Sequence, residues 1–201
     1  GNLEQAIKKN LFMDSPDKLY SILTQICSGL NYLHNKKILH RDIKASNILL
    51  ETTDNNNPII KLGDFGLSCL LDGTHYDQKG KGNGAGDIFY RSPEAIAGQP
   101  YNEGDDNWAV GIVALELISG VILYDYVSGN IFSQYKNFNV YIEQIVEDYC
   151  MPYETGSYYE QLVFIIRGLL NIKPEDRLTS GQIVDRYNKF NYKKFINRRC
   201  S

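Results

Sequence analysis

The sequence predicts a mainly helical α+β domain, and three features of the chain indicate this class. A segment from Pro16 to about Asn35 carries apolar side chains at helical spacing, and a second, almost continuously apolar segment extends from Trp108 to Tyr124. Between them, only two short runs have the character of strands. The 201 residues, 43% of them hydrophobic and 22% charged, suffice for one domain with a buried core.

The first long helix is predicted from its start signal and its apolar period. Ser15-Pro16 is typical of an N-cap followed by proline at the first helical position. The apolar residues then recur at spacings of three and four, at Leu19, Ile22, Leu23, Ile26, Leu30 and Leu33. This amphipathic helix leads into the irregular segment 38–47, which is therefore held by a rigid element.

A short β-hairpin is predicted next. Residues 48–50 and 58–62 are apolar strand-like runs on either side of the Asn-rich turn 54–57. Farther along, the glycine-rich run 80–86 follows no strand and does not fit the G-x-G-x-x-G spacing of a phosphate cradle. We therefore interpret residues 80–86 as a loop.

The apolar segment from Trp108 to Tyr124 is predicted to be a buried central helix. A membrane span is the alternative, but Glu116 interrupts the segment, Asp105 and Asp106 precede it, and no Lys or Arg flanks it. The apolar patterns after it predict helices around 135–148, 158–170 and 180–190, which completes a mostly helical body.

Charge and cysteine content narrow the functional class. The formal net charge of -3 argues against a surface built as a whole to bind nucleic acid or anionic lipid. The four cysteines are widely separated and contain no C-x-x-C pair, so they indicate neither a zinc site nor a disulfide framework. We expect a cytoplasmic protein, with the nucleus as the alternative, and no membrane partner.

Two polar runs carry the chemistry. The first reads His40-Arg41-Asp42-Ile43-Lys44-Ala45-Ser46-Asn47, and the second, Asp64-Phe65-Gly66, follows the second predicted strand. Together they supply the two carboxylates, the lysine and the asparagine needed to manage a hydroxyl nucleophile, a phosphate and Mg²⁺. The pattern H-R-D-x-K-x-x-N followed by D-F-G resembles the catalytic loop, here 38–47, and the metal-binding loop of a eukaryotic-type protein kinase.

Three further motifs carry the same resemblance in the same order. Residues 90–94 read Tyr-Arg-Ser-Pro-Glu and resemble the A-P-E end of an activation segment, with Ser in place of Ala. Residues 106–111 resemble the D-x-W-x-x-G start of the central helix, and residues 174–177 the later P-x-x-R motif. The resemblance implies one kinase domain over 1–201, with an activation segment at 64–94 and a central helix at about 106–119.

The resemblance assigns a role to each residue of the predicted site. Asp42 would accept or orient the proton of the substrate hydroxyl, and Lys44 would stabilise the γ-phosphate of ATP. Asn47 and Asp64 would bind Mg²⁺ through oxygen atoms. The resemblance also implies structural or regulatory roles for neighbouring residues: His40, Arg41, Phe65 packed beneath the loop, and Gly66 as the residue that lets the backbone turn.

The resemblance also implies contacts between distant segments. Glu94 and Arg177 would form a buried ion pair, and Asp106 would accept backbone N–H groups of the catalytic loop. Arg41 could receive a phosphate from the activation segment, for which the candidate acceptors are Ser68, Thr74 and Tyr76.

One position departs from the family pattern. The pattern before Tyr90 is Gly-Thr-x-x-Tyr, whereas here Gly86 is followed by Asp87. The missing threonine hydroxyl would bridge Asp42 and Lys44. Asp87 could pair with Lys44 instead, but a carboxylate near Asp42 and a phosphate is a like-charge penalty.

Lys44, two residues after Asp42, resembles the serine/threonine branch of the family. The expected partners are therefore Mg-ATP and a protein with a Ser or Thr acceptor. Residues 1–7 resemble the helix after the hinge, and no Gly-rich loop, strand lysine or Glu-bearing helix precedes them. We expect this chain to be the carboxy-terminal lobe, nearly inactive alone, from a parent protein that is a kinase.

Two other classes remain open. A catalytically inactive, kinase-like scaffold would account for Asp87, although Asp42, Lys44, Asn47 and Asp64 are all retained. The tail 186–199 interleaves basic and aromatic residues and could bind nucleic acid through charge and stacking. A terminal helix that packs its aromatic side chains is the favoured interpretation of this tail.

Overall fold

The computed structural model describes residues 1–52, 58–71, 86–123, 143–144, 146–150 and 154–199. The helices whose bounds lie within these ranges are α1 (Leu3–Lys8), α2 (Pro16–Asn35), α3 (Pro93–Ile96), α4 (Glu103–Ser119), α5 (Tyr158–Leu169) and α6 (Ser180–Arg199), and residues 143–144 and 146–150 are also helical. The strands are β1 (Ile38–Leu39), β2 (Ile48–Thr52), β3 (Pro58–Leu62) and β4 (Cys69–Leu70), and three short 3₁₀ turns span Ala45–Asn47, Ile88–Tyr90 and Pro174–Asp176. The predicted mainly helical α+β class is confirmed.

Helix α2 has the predicted bounds and lies at the centre of the packing. Pro16 begins the helix after Ser15, but the Ser15 side chain makes no capping hydrogen bond. The apolar face of α2 is buried against α4, α5, α6 and β3. Because these residues pack on several elements at once, α2 holds the irregular segment that follows it in a fixed place.

The predicted hairpin is present, and a side chain of α2 anchors it. Strands β2 and β3 pair antiparallel from Ile48 opposite Leu62 to Thr52 opposite Pro58. Gln25 Nε2 donates to the carbonyl of Pro58, and Gln25 Oε1 accepts from the amide of Ile60, each at 3.0 Å. These bonds satisfy edge groups of β3 that face α2.

A second sheet was not predicted. Strands β1 and β4 pair antiparallel, with Ile38 opposite Leu70 and Leu39 opposite Cys69. Each strand contains only two residues, which is too short for an alternating pattern in the sequence. This pairing joins the start of the segment 38–47 to the chain just beyond Gly66.

Helix α4 is the predicted buried central helix. It begins at Glu103, earlier than expected, because Asn102 and Asp105 form a capping box, and it ends at Gly120 in the left-handed conformation with φ 68°. Every residue from Asp105 to Ser119 is buried. No helix among the described residues is long and apolar enough to cross a membrane.

The later helices agree with the prediction where the structure describes them. Helix α5 has nearly the expected bounds, and α6 extends to Arg199, beyond the expected end near 190. Of the helix expected around 135–148, residues 143–144 and 146–148 are described, and they are helical. The turn 54–57 and loop residues 80–85 lie outside the described ranges.

Close packing between α4 and α5 yields a prediction at Gly111. A Cβ atom at this position would lie 2.7 Å from Leu170 Cδ2 and 3.0 Å from Leu169 Cβ. Alanine is the better helix former by about 1 kcal/mol. We nevertheless expect Gly111→Ala to lower the free energy of unfolding by about 1–3 kcal/mol, because the helices must move apart.

Urea unfolding followed by the fluorescence of Trp108, the single tryptophan, measures this effect. Ser28→Ala at an exposed position of α2 is the matched control and should leave stability nearly unchanged. Equal stability of the Gly111→Ala variant and the wild type would contradict the packing argument.

Candidate active site

The segment 40–47 is held by the buried carboxylate of Asp106 at the start of α4. The backbone N–H groups of His40 and Arg41 donate to Asp106 at 2.9 Å each. His34 Nε2 lies 3.0 Å from Asp106 Oδ2, and Tyr101 Oη donates to Oδ1 at 2.8 Å. The structure thus brings Asp106 and the expected backbone N–H groups together. It also places Arg41 in the left-handed region, with φ 68°.

Asp42, Lys44 and Asn47 form one cluster. Lys44 Nζ lies 3.0 Å from Asp42 Oδ2, and Asn47 Nδ2 donates to the same oxygen at 2.7 Å and to the Asp42 carbonyl at 2.9 Å. Asp42 is buried, whereas the Lys44 side chain is 25% exposed. The carboxylate is therefore fixed in direction by two donors, and a cationic nitrogen beside it remains accessible from solvent.

His40 connects this cluster to the segment that carries Asp64. Its ring Nε2 lies 3.0 Å from the carbonyl of Gly63, and its Nδ1 lies 3.4 Å from the amide N of Asp42. A neutral ring with the proton on Nε2 satisfies both contacts, since a carbonyl only accepts and an amide only donates. The amide of Gly63 also donates to the carbonyl of Asn47 at 2.9 Å. Asn47 and Asp64 consequently lie at the same end of the hairpin.

The backbone turn at Asp64-Phe65-Gly66 differs in detail from expectation. The positive φ, 58°, falls on Asp64 and not on Gly66. A Cβ at Gly66 would lie 3.2 Å from Asp64 Oδ1, so glycine makes room for this carboxylate, which accepts from the Gly66 amide at 3.3 Å. Phe65 is 49% exposed and contacts the His40 ring, with centroids 5.0 Å apart, so it is only partly covered.

An apolar surface beside this cluster was missed from the sequence. Leu49 on β2 is 49% exposed and lies two residues after Asn47. With Gly1, Leu50, Glu51 and Lys61 it lines an open cavity of about 550 Å³. The only signal in the sequence is a leucine between two other apolar residues of a short strand, and such a run does not indicate which face is solvent-exposed.

Asp87 does not pair with Lys44. Its Oδ1 accepts from the amide of Phe89 at 3.1 Å and caps the 3₁₀ turn Ile88–Tyr90, while Lys44 pairs with Asp42. A short side chain two residues before the amide it binds is the ordinary geometry of such a cap. The possibility that Asp87 replaces the threonine bridge by binding Lys44 is therefore not realised.

Glu94 and Arg177 are brought together at the base of α4. Arg177 Nη2 donates to Glu94 Oε2 at 3.0 Å, and Nη1 contacts Glu94 Oε1. Arg177 is buried, donates to the carbonyls of Asn171 and Gly104, and lies over the ring of Trp108 at 5.0 Å. Because the guanidinium is surrounded by acceptors, this pair joins α3 to the segment before α6.

Of the three candidate phosphate acceptors, one lies within the described residues. Ser68 Oγ donates to the carbonyl of His40 at 3.2 Å, so its hydroxyl is already engaged. Thr74 and Tyr76 lie outside the described residues. The Arg41 guanidinium lies over the ring of Tyr101 at 5.9 Å.

The polar groups at this site suit a hard cation. Asn47 uses its Nδ2 on Asp42, which leaves Oδ1 as the oxygen that a cation would bind, and Asp64 supplies a carboxylate nearby. Within the described residues, no group of three or more His, Cys, Asp or Glu side chains could hold a metal by itself. The arrangement therefore fits Mg²⁺, which binds few protein oxygens and keeps water or phosphate ligands.

The sequence is similar to a known protein family over most of its length. The sequence model of the protein kinase domain matches residues 1–187. The chain is 39% identical over 115 residues to eukaryotic translation initiation factor 2-alpha kinase 1 of Plasmodium falciparum, which covers 57% of the chain and 7% of that relative.

Two further relatives carry the name of serine/threonine-protein kinases. The probable kinase nek2 of Dictyostelium discoideum is 41% identical over 124 residues, or 58% of the chain and 28% of the relative. Nek8 of Danio rerio is 43% identical over 122 residues, or 59% of the chain and 16% of the relative. The chain spans well under two thirds of the length of each relative.

A buried acid beneath the site has a shifted pKa. Tyr90 Oη donates to both carboxylate oxygens of Glu116, at 2.9 and 3.1 Å, and the amide of Leu123 donates to Oε1 at 3.0 Å. Burial raises the pKa of Glu116 from 4.5 to about 8, although the hydrogen bonds from Leu123 and Tyr90 act in the opposite direction. The folded chain therefore binds a proton that the unfolded chain releases between about pH 4.5 and 8.

This proton predicts how stability depends on pH. The folded state binds more protons in that window, so the contribution of Glu116 to the free energy of unfolding falls as pH rises, by up to about 1.4 kcal/mol per pH unit. Glu116→Gln should remove this contribution, and the variant should lose less stability than the wild type between pH 5 and pH 8. Urea unfolding at several pH values measures the difference, and parallel curves for the two proteins would refute the assignment.

Proposed function

Since the chain belongs to the protein kinase family, we propose that the natural protein containing it transfers the γ-phosphate of Mg-ATP to serine or threonine hydroxyls of protein substrates. The cluster of Asp42, Lys44 and Asn47 is the observation that carries this proposal. In this cluster a carboxylate with a fixed orientation lies next to a solvent-accessible ammonium group. Transfer of a phosphoryl group to a hydroxyl requires such a pair.

Each residue of the cluster has a separate task in the proposed reaction. Asp42 orients the acceptor hydroxyl and accepts its proton as the new bond to phosphorus forms. Lys44 stabilises the negative charge of the transferred group, and its distance of 3.0 Å from Asp42 keeps the two reacting centres adjacent. Asn47 fixes the direction of the Asp42 carboxylate through its Nδ2.

The cofactor would be bound by the residues next to this cluster. Asn47 Oδ1 and the Asp64 carboxylate would hold Mg²⁺, which, when bound, neutralises charge on the phosphate oxygens. Leu49 would support the nucleotide base, because an exposed apolar side chain beside an open cavity offers the surface that a flat heterocycle covers.

The preference for serine and threonine rests on Lys44 and on the printed names of the Nek relatives. We further propose that residues 1–201 correspond to the helical, carboxy-terminal part of the domain. We expect this chain alone to catalyse phosphate transfer slowly. The open cavity beside Leu49 supports this proposal, because electrostatic catalysis requires a site from which water is excluded.

An inactive kinase-like scaffold is the second candidate, and Asp87 is the observation that favours it. Its carboxylate replaces the threonine of the family pattern and caps the turn that precedes Tyr90. A scaffold requires no bridge between Asp42 and Lys44, so the substitution would be harmless there.

The first test concerns Asp42. In the natural full-length protein, Asp42→Asn should lower the rate of phosphate transfer by about 10²–10⁴-fold, because the amide cannot accept the substrate proton. The change is isosteric, so the thermal unfolding midpoint should stay close to that of the wild type. Asp185→Asn, which neutralises an exposed carboxylate on α6, is the matched control and should keep the wild-type rate. An Asp42→Asn variant with undiminished transfer from radiolabelled ATP would exclude this mechanism.

The second test separates an enzyme from a scaffold. Threonine at position 87 can cap the turn as aspartate does, and its hydroxyl can also bridge Asp42 and Lys44. Asp87→Thr should therefore raise the turnover of the full-length protein severalfold. One additional hydrogen bond would lower the activation free energy by about 0.5–1.5 kcal/mol. If turnover stays the same or falls, Asp87 is a working part of the site or the protein is a scaffold.

A further inference from the structure

We propose that Ser92 and Asp105 form a buried tether that positions the end of the activation segment for the protein substrate. This inference rests on the proposed kinase function and adds two positioning residues to it. Neither residue belongs to the cluster around Asp42, and neither was among the functional residues expected from the sequence.

The tether joins two helix N-termini through a single hydrogen bond. Ser92 Oγ donates to Asp105 Oδ1, and both side chains are fully buried. Ser92 is also the N-cap of α3, since its Oγ accepts from the amide of Ala95 at 3.1 Å. Asp105 belongs to the capping box of α4, since its Oδ2 accepts from the amide of Asn102 at 2.6 Å. Each residue is thus already held by its own helix, and the bond between them fixes one helix start against the other.

The position of Asp105 connects the tether to the active site. Asp105 precedes Asp106, whose carboxylate holds the backbone of His40 and Arg41. The first turn of α4 therefore presents two adjacent carboxylates that bind two different segments of the site. Asp106 holds the segment that carries Asp42, and Asp105 holds the segment on which an acceptor peptide would lie.

Neighbouring contacts show why this bond governs the local position. Tyr90 is tied to Glu116, and Glu94 is tied to Arg177, which also donates to the carbonyl of Gly104 in the first turn of α4. The Ser92 hydroxyl bonds directly to the Asp105 side chain, next to the carboxylate of Asp106 that holds the segment 40–47. Without its bond, the contacts of Tyr90 and of Glu94 would remain, and the chain between them would be held less firmly against Asp42.

The tether is a property of this chain and not of the motif. The motif carries alanine where this chain carries Ser92, and alanine has no hydroxyl. Burial raises the pKa of Asp105, and the two charged neighbours act on it in opposite directions, since Glu94 raises it and Arg177 lowers it. Without Ser92, the buried carboxylate of Asp105 would keep the amide of Asn102 as its uncharged donor. Removing a donor from a buried acceptor is costly, so the loss of Ser92 should weaken this region.

Steady-state kinetics of the natural full-length protein test the positioning role. Ser92→Ala and Asp105→Ala, which remove the donor and the acceptor of the tether, should each raise KM for a peptide substrate by about tenfold, whereas KM for ATP should change less than about twofold. The double variant should be less impaired than the sum of the two single effects, because both changes break the same bond. Asp185→Asn, an exposed acid on α6, is the matched control and should leave both KM values unchanged.

Hydrogen exchange of the 201-residue chain provides a measurement that requires no catalysis. Both variants should speed exchange of the amides in 88–97 by about tenfold, while the amides in 40–47 keep their protection. Additive effects in the double variant, equal rises in both KM values, or unchanged exchange in 88–97 would each overturn the tether. A wild-type protein that phosphorylates nothing would overturn the proposed function instead, and the exchange result would still decide whether the tether exists.

Discussion

The buried carboxylate of Asp106 is the constraint on which the rest of the site depends. It is completely buried at the N-terminal turn of α4, where the helix dipole favours negative charge. His34, Tyr101 and the amides of His40 and Arg41 contact its two oxygens. A buried acceptor with unmade hydrogen bonds is costly, so these donors cannot move independently. This is why Arg41 can remain in the left-handed region, which non-glycine residues rarely adopt.

Helix α4 connects this constraint to much of the described structure. Its middle is apolar on all sides and packs against α2 and α5, while its polar residues lie near its ends. Asp105 and Asp106 bind separate segments at one end, and near the other end Glu116 binds Tyr90. The helix is therefore a rigid element that connects segments distant in sequence. Because both ends are tied to the site through buried hydrogen bonds, a change in helix packing, as at Gly111, would also displace the segment 40–47.

Much of the fold could be predicted because its signals are local. Pro16 and the apolar period locate α2, the turn-flanked runs locate the hairpin, and the lack of any polar face identifies α4 as buried. Strands β1 and β4 could not be predicted, because two residues have no period. The partners of buried polar groups were missed for a different reason. Tyr90 and Glu116 are 26 positions apart, and nothing in their spacing shows that they meet. The pairing of Asp87 with Lys44 is not realised because the amide of Phe89, two residues away, binds the carboxylate instead.

The charge of the candidate site gives Mg²⁺ a specific part in the proposed function. Asp42 and Asp64 are both acids, and the ammonium group of Lys44 pairs with Asp42. A triphosphate carries several negative charges, so its approach to two carboxylates and one lysine is electrostatically unfavourable unless another cation is present. A divalent ion between Asn47, Asp64 and the phosphates would reverse the local charge balance. Lys44, already within 3.0 Å of Asp42, could then turn toward the transferred group without leaving Asp42 unpaired, because Asn47 Nδ2 would still donate to the same oxygen. In the proposed function the asparagine would thus have two separable roles, one for each end of its amide, and this division would let a site with more acidic than basic side chains bind an anion.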